Sequence, residues 1–514
     1  MEKLRILWID DEIDLLRPHI IFLEKKGYEV ETAGYASEGL EKLSEQNFDV
    51  VFLDEQMPGM QGLEALLEIK KQHPDLPVVM ITKSEEENIM EEAIGKEITD
   101  YLIKPINPNE IILSLKKIFR KKQLVSEQAV RDYQREFGKI SMDIGMSNDW
   151  QSWTDIYRTL MFWSIKLDEL EDEQMRDILN GQIAEANAGF FRFVKKHYED
   201  WINGSGDAPL MSHRLLKEKM LPQSAEKALL VVIDNLRYDQ WLSIRPVLQE
   251  FLHISEESLY FSILPTATQY ARNALFSGLT PLGIKKRFPQ WWKDDPEEGG
   301  KNLHEKDLFK AFLRRHGLET EPEFFKVLNY QFGERTARQI PNLAGKDLIV
   351  VVYNFVDMIS HAKTEMDLIK ELANNDSAYR KLTATWFVNS PLHQIIENAA
   401  AQGRKIFLTT DHGTINVKRP TRVVGDKETS LNLRYKLGRS LTYNPKDVLE
   451  CKKPDKFQLP SPYINGTYIF AKEDYFFVYP NNYNQYVNHF RDTYQHGGIS
   501  MQEMMVPFVM MEPK

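Results

Sequence analysis

The stretch Leu4-Arg5-Ile6-Leu7-Trp8-Ile9-Asp10-Asp11-Glu12 is five apolar residues in six positions, stopped by three carboxylates. An apolar run this short reads as a buried strand whose carboxyl end meets solvent. Four more runs follow: YEVETA (28–33), VVFLD (50–54), PVVMIT (77–82) and DYLIKP (100–105), each trailed by an amphipathic stretch. Strand and helix patterns alternating five times predict a doubly wound parallel sheet, an α/β domain over residues 1–121. In such sheets ligands bind beyond the carboxyl ends of the strands.

Beyond it, residues 122–203 read as helix only. Val130, Tyr133, Phe137 and Ile140 form one apolar stripe; Ile156, Leu160, Trp163, Leu167 and Leu170 form a second; Met175, Leu179, Ile183, Phe190 and Val194 form a third. Each is one face of a helix, and together they predict a small helical bundle spacing its neighbours. Asn203-Gly204-Ser205-Gly206-Asp207-Ala208-Pro209 then reads as a flexible joint. Residues 204–514 return to β-branched strands, ALLVVID (228–234), KDLIVVVYNFVD (346–357) and RKIFLTTDH (404–412), each ending in Asp or Asp-His. They predict one large α/β domain, with an insertion at 415–490 that carries no readable signature.

Charge narrows the function classes. The chain has 514 residues and a formal net charge of −11. Residues 1–120 hold 14 Lys and Arg against 25 Asp and Glu, leaving 51 of each sign in the remainder. A double-stranded-DNA reader usually carries a basic surplus, and neither part has one. The single cysteine, Cys451, excludes an intramolecular disulfide and a multi-cysteine zinc site. With no run of ~18 apolar residues and no signal-peptide core in MEKLRILWIDDE, the expectation is a cytoplasmic protein without membrane insertion.

Asp10 and Asp11 end the first strand and Asp54 the third. Clustered carboxylates repel one another and make sense together around a cation; an all-oxygen set suits Mg²⁺. Thr82 and Lys104, at the ends of the fourth and fifth strands, bring a hydroxyl and an ammonium toward a phosphoryl group on Asp54. With the Met57-Pro58-Gly59 turn and the Lys104-Pro105 pair, this domain resembles the receiver domain of two-component response regulators, a flavodoxin-like fold. The resemblance implies that Asp54 is the phosphoacceptor, that Asp10, Asp11 and Asp54 hold Mg²⁺, that Lys104 pairs with the phosphoryl oxygens and that Thr82 and Tyr101 relay the change. It also implies a cis Lys104–Pro105 bond. Lys83 and Gln56 depart from the commonest receiver pattern at positions that bear on the lifetime of an aspartyl phosphate.

The third region holds a dispersed ligand set: Asp234, Asp357, His361, Asp411, His412 and His496, with Thr268 among them. Carboxylate plus imidazole favours Zn²⁺ or a close relative. Thr268 to Ser277 reads as a short helix closed by Gly278, which puts Thr268 at a helix N-terminus, where N–H groups and the helix dipole favour a phosphoryl anion. A threonine hydroxyl needs activation to act as a nucleophile, and metal coordination supplies it. In order and spacing these motifs resemble the PglZ branch of the alkaline phosphatase superfamily. The resemblance implies two Zn²⁺ per domain, one on Asp357, His361 and His496, the other on Asp234, Asp411, His412 and the Thr268 nucleophile. Arg272, one turn beyond Thr268, is a candidate for a phosphate oxygen, with a structural ion pair as the equal alternative. Tyr238, Tyr270 and Tyr353 lie beside the motifs as candidates for stacking on a nucleobase.

A receiver, a helical segment and a PglZ domain in this order resemble the PorX-type response regulators of the type IX secretion system. That resemblance implies a sensor histidine kinase as phosphodonor, dimerisation on phosphorylation, contacts with the cytoplasmic region of the secretion motor and a sigma factor, and a zinc-dependent phosphodiesterase acting on nucleotides or oligonucleotides. The alternative is a phosphorylation-controlled adaptor or transcription-control protein whose metal site is not catalytic.

Overall fold

The computed structural model describes residues 4–83, 98–170, 173–223, 227–359, 373, 375–426 and 429–514; side chains are described within these except at 120–127. Two compact units result, Met1–Asp132 and Tyr133–Lys514.

In the first unit, β1 (Arg5–Ile9), β2 (Glu29–Ala33), β3 (Val50–Asp54), β4 (Val78–Thr82) and β5 (Asp100–Ile103) form a parallel sheet in the order β2-β1-β3-β4-β5. The period of two sorts each strand between two cores. Leu7, Ile9, Val51 and Leu53 pack under the helices Ala36–Glu45 and Gly62–Gln72. Ile6, Trp8, Val50 and Phe52 pack against Leu23, Ile111 and Leu115 on the opposite face. Register sets the site: Ile9 lies opposite Leu53, Asp54 opposite Ile81 and Thr82 opposite Ile103, which brings Asp10, Asp54, Thr82 and Lys104 to one edge.

The last receiver helix does not stop at the expected boundary. It runs unbroken as Pro108–Met146, through residues 121 and 122, because no proline follows Pro108 within it and its first glycine is Gly138. The helices Trp150–Asp168 and Glu173–Ile202 complete the helical segment, and Tyr133, Leu160, Trp163, Leu179, Phe190 and Val194 are buried as their stripes predict. Val130, Leu170 and Ile183 are only half-buried, and Phe137 is 38% exposed. The joint at 203–209 lies inside the second unit: Asn203 donates to the Lys456 carbonyl at 2.7 Å and accepts from Gln458 Nε2 at 2.7 Å.

The C-terminal strands are β6 (Ala228–Ile233), β7 (Leu252–Phe261), β8 (Glu323–Val327), β9 (Leu348–Tyr353) and β10 (Lys405–Thr409). The insertion then adds β11 (Ile415–Asn416), β12 (Arg419–Val424), β13 (Tyr435–Gly438), β14 (Thr442–Tyr443), β15 (Val448–Cys451), β16 (Thr467–Ala471), β17 (Tyr475–Val478) and β18 (Tyr494–Gln495) before β19 (Met505–Pro513). The main sheet has the order β7-β19-β10-β6-β9-β8, with the three predicted strands β10, β6 and β9 side by side and parallel. β19 runs antiparallel between β10 and β7. Leu230, Val232, Val350 and Phe407 bury one face against Leu275 and Phe276 of the helix Thr268–Ser277 and against Phe309 and Phe312. The insertion is three small sheets, β11-β18, β14-β12-β17 and β13-β16-β15. Among the described residues no helix is long and apolar enough to cross a membrane.

Candidate functional site

At the edge of the first unit, Asp10, Asp11 and Asp54 place carboxylate oxygens within 4.8 Å of one another. Asp10 and Asp54 are buried and Asp11 is exposed, so the cluster opens to solvent on one side. Lys104 Nζ sits 2.9 Å from Asp54 Oδ2 and 3.0 Å from Asp10 Oδ2, beyond a cis Lys104–Pro105 bond as the receiver resemblance implies. Burial pushes the Asp54 carboxyl up, and the hydrogen bond from Lys104 only partly offsets it. Burial works against the Lys104 ammonium, but its bonds to Asp54 and Asp10 outweigh this and hold its pKa above the ordinary value. Thr82 donates its hydroxyl to Glu55, and Tyr101 is 38% exposed. Lys83 reaches Glu12 at 3.5 Å.

In the second unit, the register pairs Thr409 with Val232, and two residues on, past both strand ends, come Asp411 and Asp234. With His412 their ligand atoms lie within 4.8 Å of one another, all three buried. Asn235, at φ 66°, turns the chain sharply after Asp234, and its N–H donates to Asp411 Oδ1 at 3.3 Å. Thr268 opens its helix as expected, and Gly278 closes it in the left-handed conformation. The Thr268 hydroxyl lies 3.1 Å from His412 Nε2 and 3.5 Å from Asp234 Oδ1.

The second group of candidate ligands adjoins the first. Asp357 lies in a helical turn at 355–359, past the end of β9, and His496 follows β18. His496 Nε2 is 3.9 Å from Asp357 Oδ1, and its ring stacks on that of His412 with centroids 4.2 Å apart. His361 lies outside the described residues.

The donors suit a divalent ion. His412 Nδ1 lies 3.1 Å from the Gly413 carbonyl and His496 Nδ1 3.1 Å from the Thr266 carbonyl, so each Nδ1–H donates to the backbone and each Nε2 lone pair faces the site. Burial lowers the pKa of His412 to about 4, which keeps it neutral, as a ligand must be. Among the described residues Asp411 Oδ2 is buried with no hydrogen-bond donor; the neutral His412 ring lies 3.7 Å away and the Arg272 guanidinium 3.8 Å away. A buried carboxylate oxygen in that state lacks a counter-charge that a metal would provide.

Arg272 is where structure departs from the phosphate-binding alternative. It is fully buried, with Nη1 2.5 Å from Asp234 Oδ2 and Nε 2.5 Å from Glu305 Oε1, and it makes the ion pair that the sequence left as an equal option. Burial opposes ionisation of Asp234, but Arg272 outweighs it and holds the carboxyl below the usual range. Asp411, farther from the guanidinium, is pushed up to about 8 by burial and by the charge of Asp234. Sequence reading missed Glu305: it begins the helix Glu305–Arg315, 33 residues from Arg272, and only its position as an acidic residue in a first turn hints at a role. The stacking candidates do not present their faces either. Tyr238, Tyr270 and Tyr353 are each at most 5% exposed, and Tyr270 is tied to Asp295 and Tyr468 by its hydroxyl.

Known proteins align with these parts. Residues 6–116 match the response regulator receiver domain, residues 123–202 the PorX response regulator linker domain and residues 214–511 the BREX system PglZ alkaline phosphatase-like domain. The transcriptional regulatory protein SrrA of Staphylococcus aureus is 28% identical over 141 residues, 27% of this chain and 58% of its own length. The match thus spans a little over half of such curated relatives. Among solved structures, a CheY-like receiver domain from Methanospirillum hungatei JF-1 is 31% identical over 23% of this chain and 96% of that one, with a TM-score of 0.22. The chemotaxis protein CheY4 of Vibrio cholerae is 30% identical over 23% of this chain and 98% of that one, also at 0.22. The receiver and linker matches repeat the PorX-type architecture, and because the longest match takes in more than half the chain and every described candidate ligand of the buried cluster, the protein belongs to the PglZ alkaline phosphatase-like family.

Proposed function

We propose that this response regulator is phosphorylated on Asp54 by a histidine kinase and that its PglZ domain is a metal-dependent phosphodiesterase for nucleotide or oligonucleotide diesters, serving type IX secretion. The observation that carries the catalytic part is the Thr268 hydroxyl at the start of its helix, 3.1 Å from His412 Nε2 and 3.5 Å from Asp234 Oδ1.

Asp234, Asp411, His412 and Thr268 would hold one divalent ion, Asp357, His361 and His496 a second, and Asp10, Asp11 and Asp54 a Mg²⁺. Zinc in such a pair lowers the pKa of a hydroxyl and stabilises charge on phosphoryl oxygens. The chain supplies the rest. Thr268 Oγ1 is the attacking atom, positioned by the first turn of its helix, whose free N–H groups favour the incoming phosphoryl anion. Its attack on phosphorus breaks the ester bond to one alcohol and leaves the phosphoryl group on Thr268; water then releases it as a monoester. Arg272 keeps Asp234 ionised, and the two backbone carbonyls keep both imidazoles in the ligand tautomer. On the receiver, Lys104 stands where it would pair with phosphoryl oxygens on Asp54.

Turnover of linear and cyclic dinucleotides, with elemental analysis of the same samples, tests this. The expectation is about two zinc ions per PglZ domain. Thr268→Ala should lower turnover more than about 10³-fold with the metal retained, while Asp54→Ala should block phosphorylation by acetyl phosphate. Full activity in Thr268→Ala would overturn the catalytic assignment, and absent turnover with intact partner binding would favour an adaptor.

A further inference from the structure

The helical segment reaches three stretches beside the PglZ site through polar side chains, two of them buried: the chain leading into Thr268, the turn of helix at Met501–Met504 and, through Arg380, the residues that follow Asp234. The Tyr198 hydroxyl, on the helix Glu173–Ile202 and fully buried, accepts the Leu264 N–H at 2.7 Å. Leu264 leads directly into Pro265-Thr266-Ala267-Thr268. Asn187, on the same helix and also buried, accepts the Met501 N–H at 2.8 Å and donates to Gln502 Oε1 at 3.0 Å.

That second contact bears on both histidines. Gly413, next to His412, donates its N–H to the Glu503 carbonyl at 3.1 Å, and a Cβ on Gly413 would lie 2.0 Å from the Gln502 carbonyl oxygen. Thr266 closes the ring, accepting the Gly497 N–H at 3.0 Å and donating to the Gly498 carbonyl at 3.0 Å, just past His496. At the third stretch, Asp168, the last residue of the helix Trp150–Asp168, pairs with Arg380 of the helix Asp376–Val388. Arg380 donates at 2.7 Å to Asp239, which also binds Arg237, three residues after Asp234.

A spacer would meet its neighbour through apolar faces tolerant of sliding. These contacts are directional, and each leaves a buried group without its partner when broken. We propose that Tyr198, Asn187 and Asp168 are positioning residues of the phosphoester site, so that the helical segment is a structural part of the catalytic unit. The proposal rests on the phosphodiesterase reading for its kinetic consequence but not for its geometric one. Loops held this way keep Thr268 and His412 at reacting distance, and small displacements at a reacting centre cost rate more than binding.

The full chain tests this with Tyr198→Phe, which deletes one hydroxyl and keeps the ring. Its control is Tyr133→Phe, which also loses a buried hydrogen bond, to Gln182 Oε1 at 2.8 Å, but inside the helical segment. With bis(p-nitrophenyl) phosphate as probe, Tyr198→Phe and Asn187→Leu should lower kcat roughly 10- to 100-fold with KM unchanged, while Tyr133→Phe stays within about twofold of wild type. Amide hydrogen exchange gives a second readout that needs no activity: exchange at 262–270 should rise in Tyr198→Phe and at 498–504 in Asn187→Leu, with neither changed in Tyr133→Phe. Wild-type turnover with kcat unaltered in both site-facing variants would overturn the proposal, as would equal losses in the control. If the wild type has no turnover, the phosphodiesterase reading fails by itself, and exchange decides the positioning role: unchanged exchange in both variants refutes it.

Discussion

Arg272 Nη1 lies 2.5 Å from Asp234 Oδ2 but 3.8 Å from Asp411 Oδ2, so one buried guanidinium serves two facing carboxylates unequally. The nearer is held below the usual carboxylate range and the farther is pushed up by its burial and by its neighbour's charge.

Arg272→Met removes that cation and leaves Asp234 facing Asp411, with Glu305 keeping Lys326 at 2.9 Å as its ion-pair partner among the described residues. Breaking a buried ion pair costs about 3–5 kcal/mol. Added zinc should recover part of it, because a ligand that binds only the folded state stabilises by mass action. Thermal melts of wild type and Arg272→Met in chelator and in excess Zn²⁺ check this: the gap between the two proteins should narrow with metal. An unchanged gap would mean that the ion and the guanidinium do not act on the same carboxylates.

Lys104→Met tests the receiver pocket. The ammonium sits within 3.0 Å of both buried carboxylates and competes electrostatically with any cation there. Its loss should tighten Mg²⁺ binding in isothermal titration while reducing phosphorylation by acetyl phosphate. Weaker Mg²⁺ binding would show that the lysine organises the carboxylates more than it repels the ion.

Lys436 gives a pH signature of its own. It is buried, donates to the Ser430 carbonyl at 2.8 Å, and burial lowers its pKa to about 7. Above that pH the folded state has released a proton that the unfolded chain retains up to the ordinary lysine range, so the unfolded state binds more protons and stability contributed by this group rises with pH over that window. Below about pH 7 the penalty for burying the charge is present in full. Lys436→Met should therefore stabilise most at pH 6 and progressively less toward pH 10, as read from urea midpoints. A difference independent of pH would remove Lys436 as the source.

Gly413→Ala tests how tightly the His412 turn is backed. Its Cβ would meet a backbone carbonyl, not the end of a mobile side chain, so either the His412 turn or the 500–504 segment must move. Overpacking of this kind costs about 1–3 kcal/mol, and zinc affinity by chelator competition should fall with it. Wild-type affinity at reduced stability would confine the strain to the 500–504 side.

Much of this was legible in the chain itself because it depends on local pattern. Short apolar runs ending in carboxylates marked β1, β3, β6 and β10, and parallel strands bring such ends to one edge, so Asp10 with Asp54 followed from periodicity and chain order, while the grouping of Asp234 with Asp411 came from the resemblance to PglZ domains. The helix opened by Thr268 and closed by Gly278 was likewise a local signal. What only the tertiary structure decided was pairing at a distance. Nothing in the spacing tells Arg272 to choose Asp234 and Glu305, or gives Asn187 and Tyr198 their backbone partners 314 and 66 residues away. Those choices rest on which buried donor meets which buried acceptor, and burial exists only once the sheets and helices have packed.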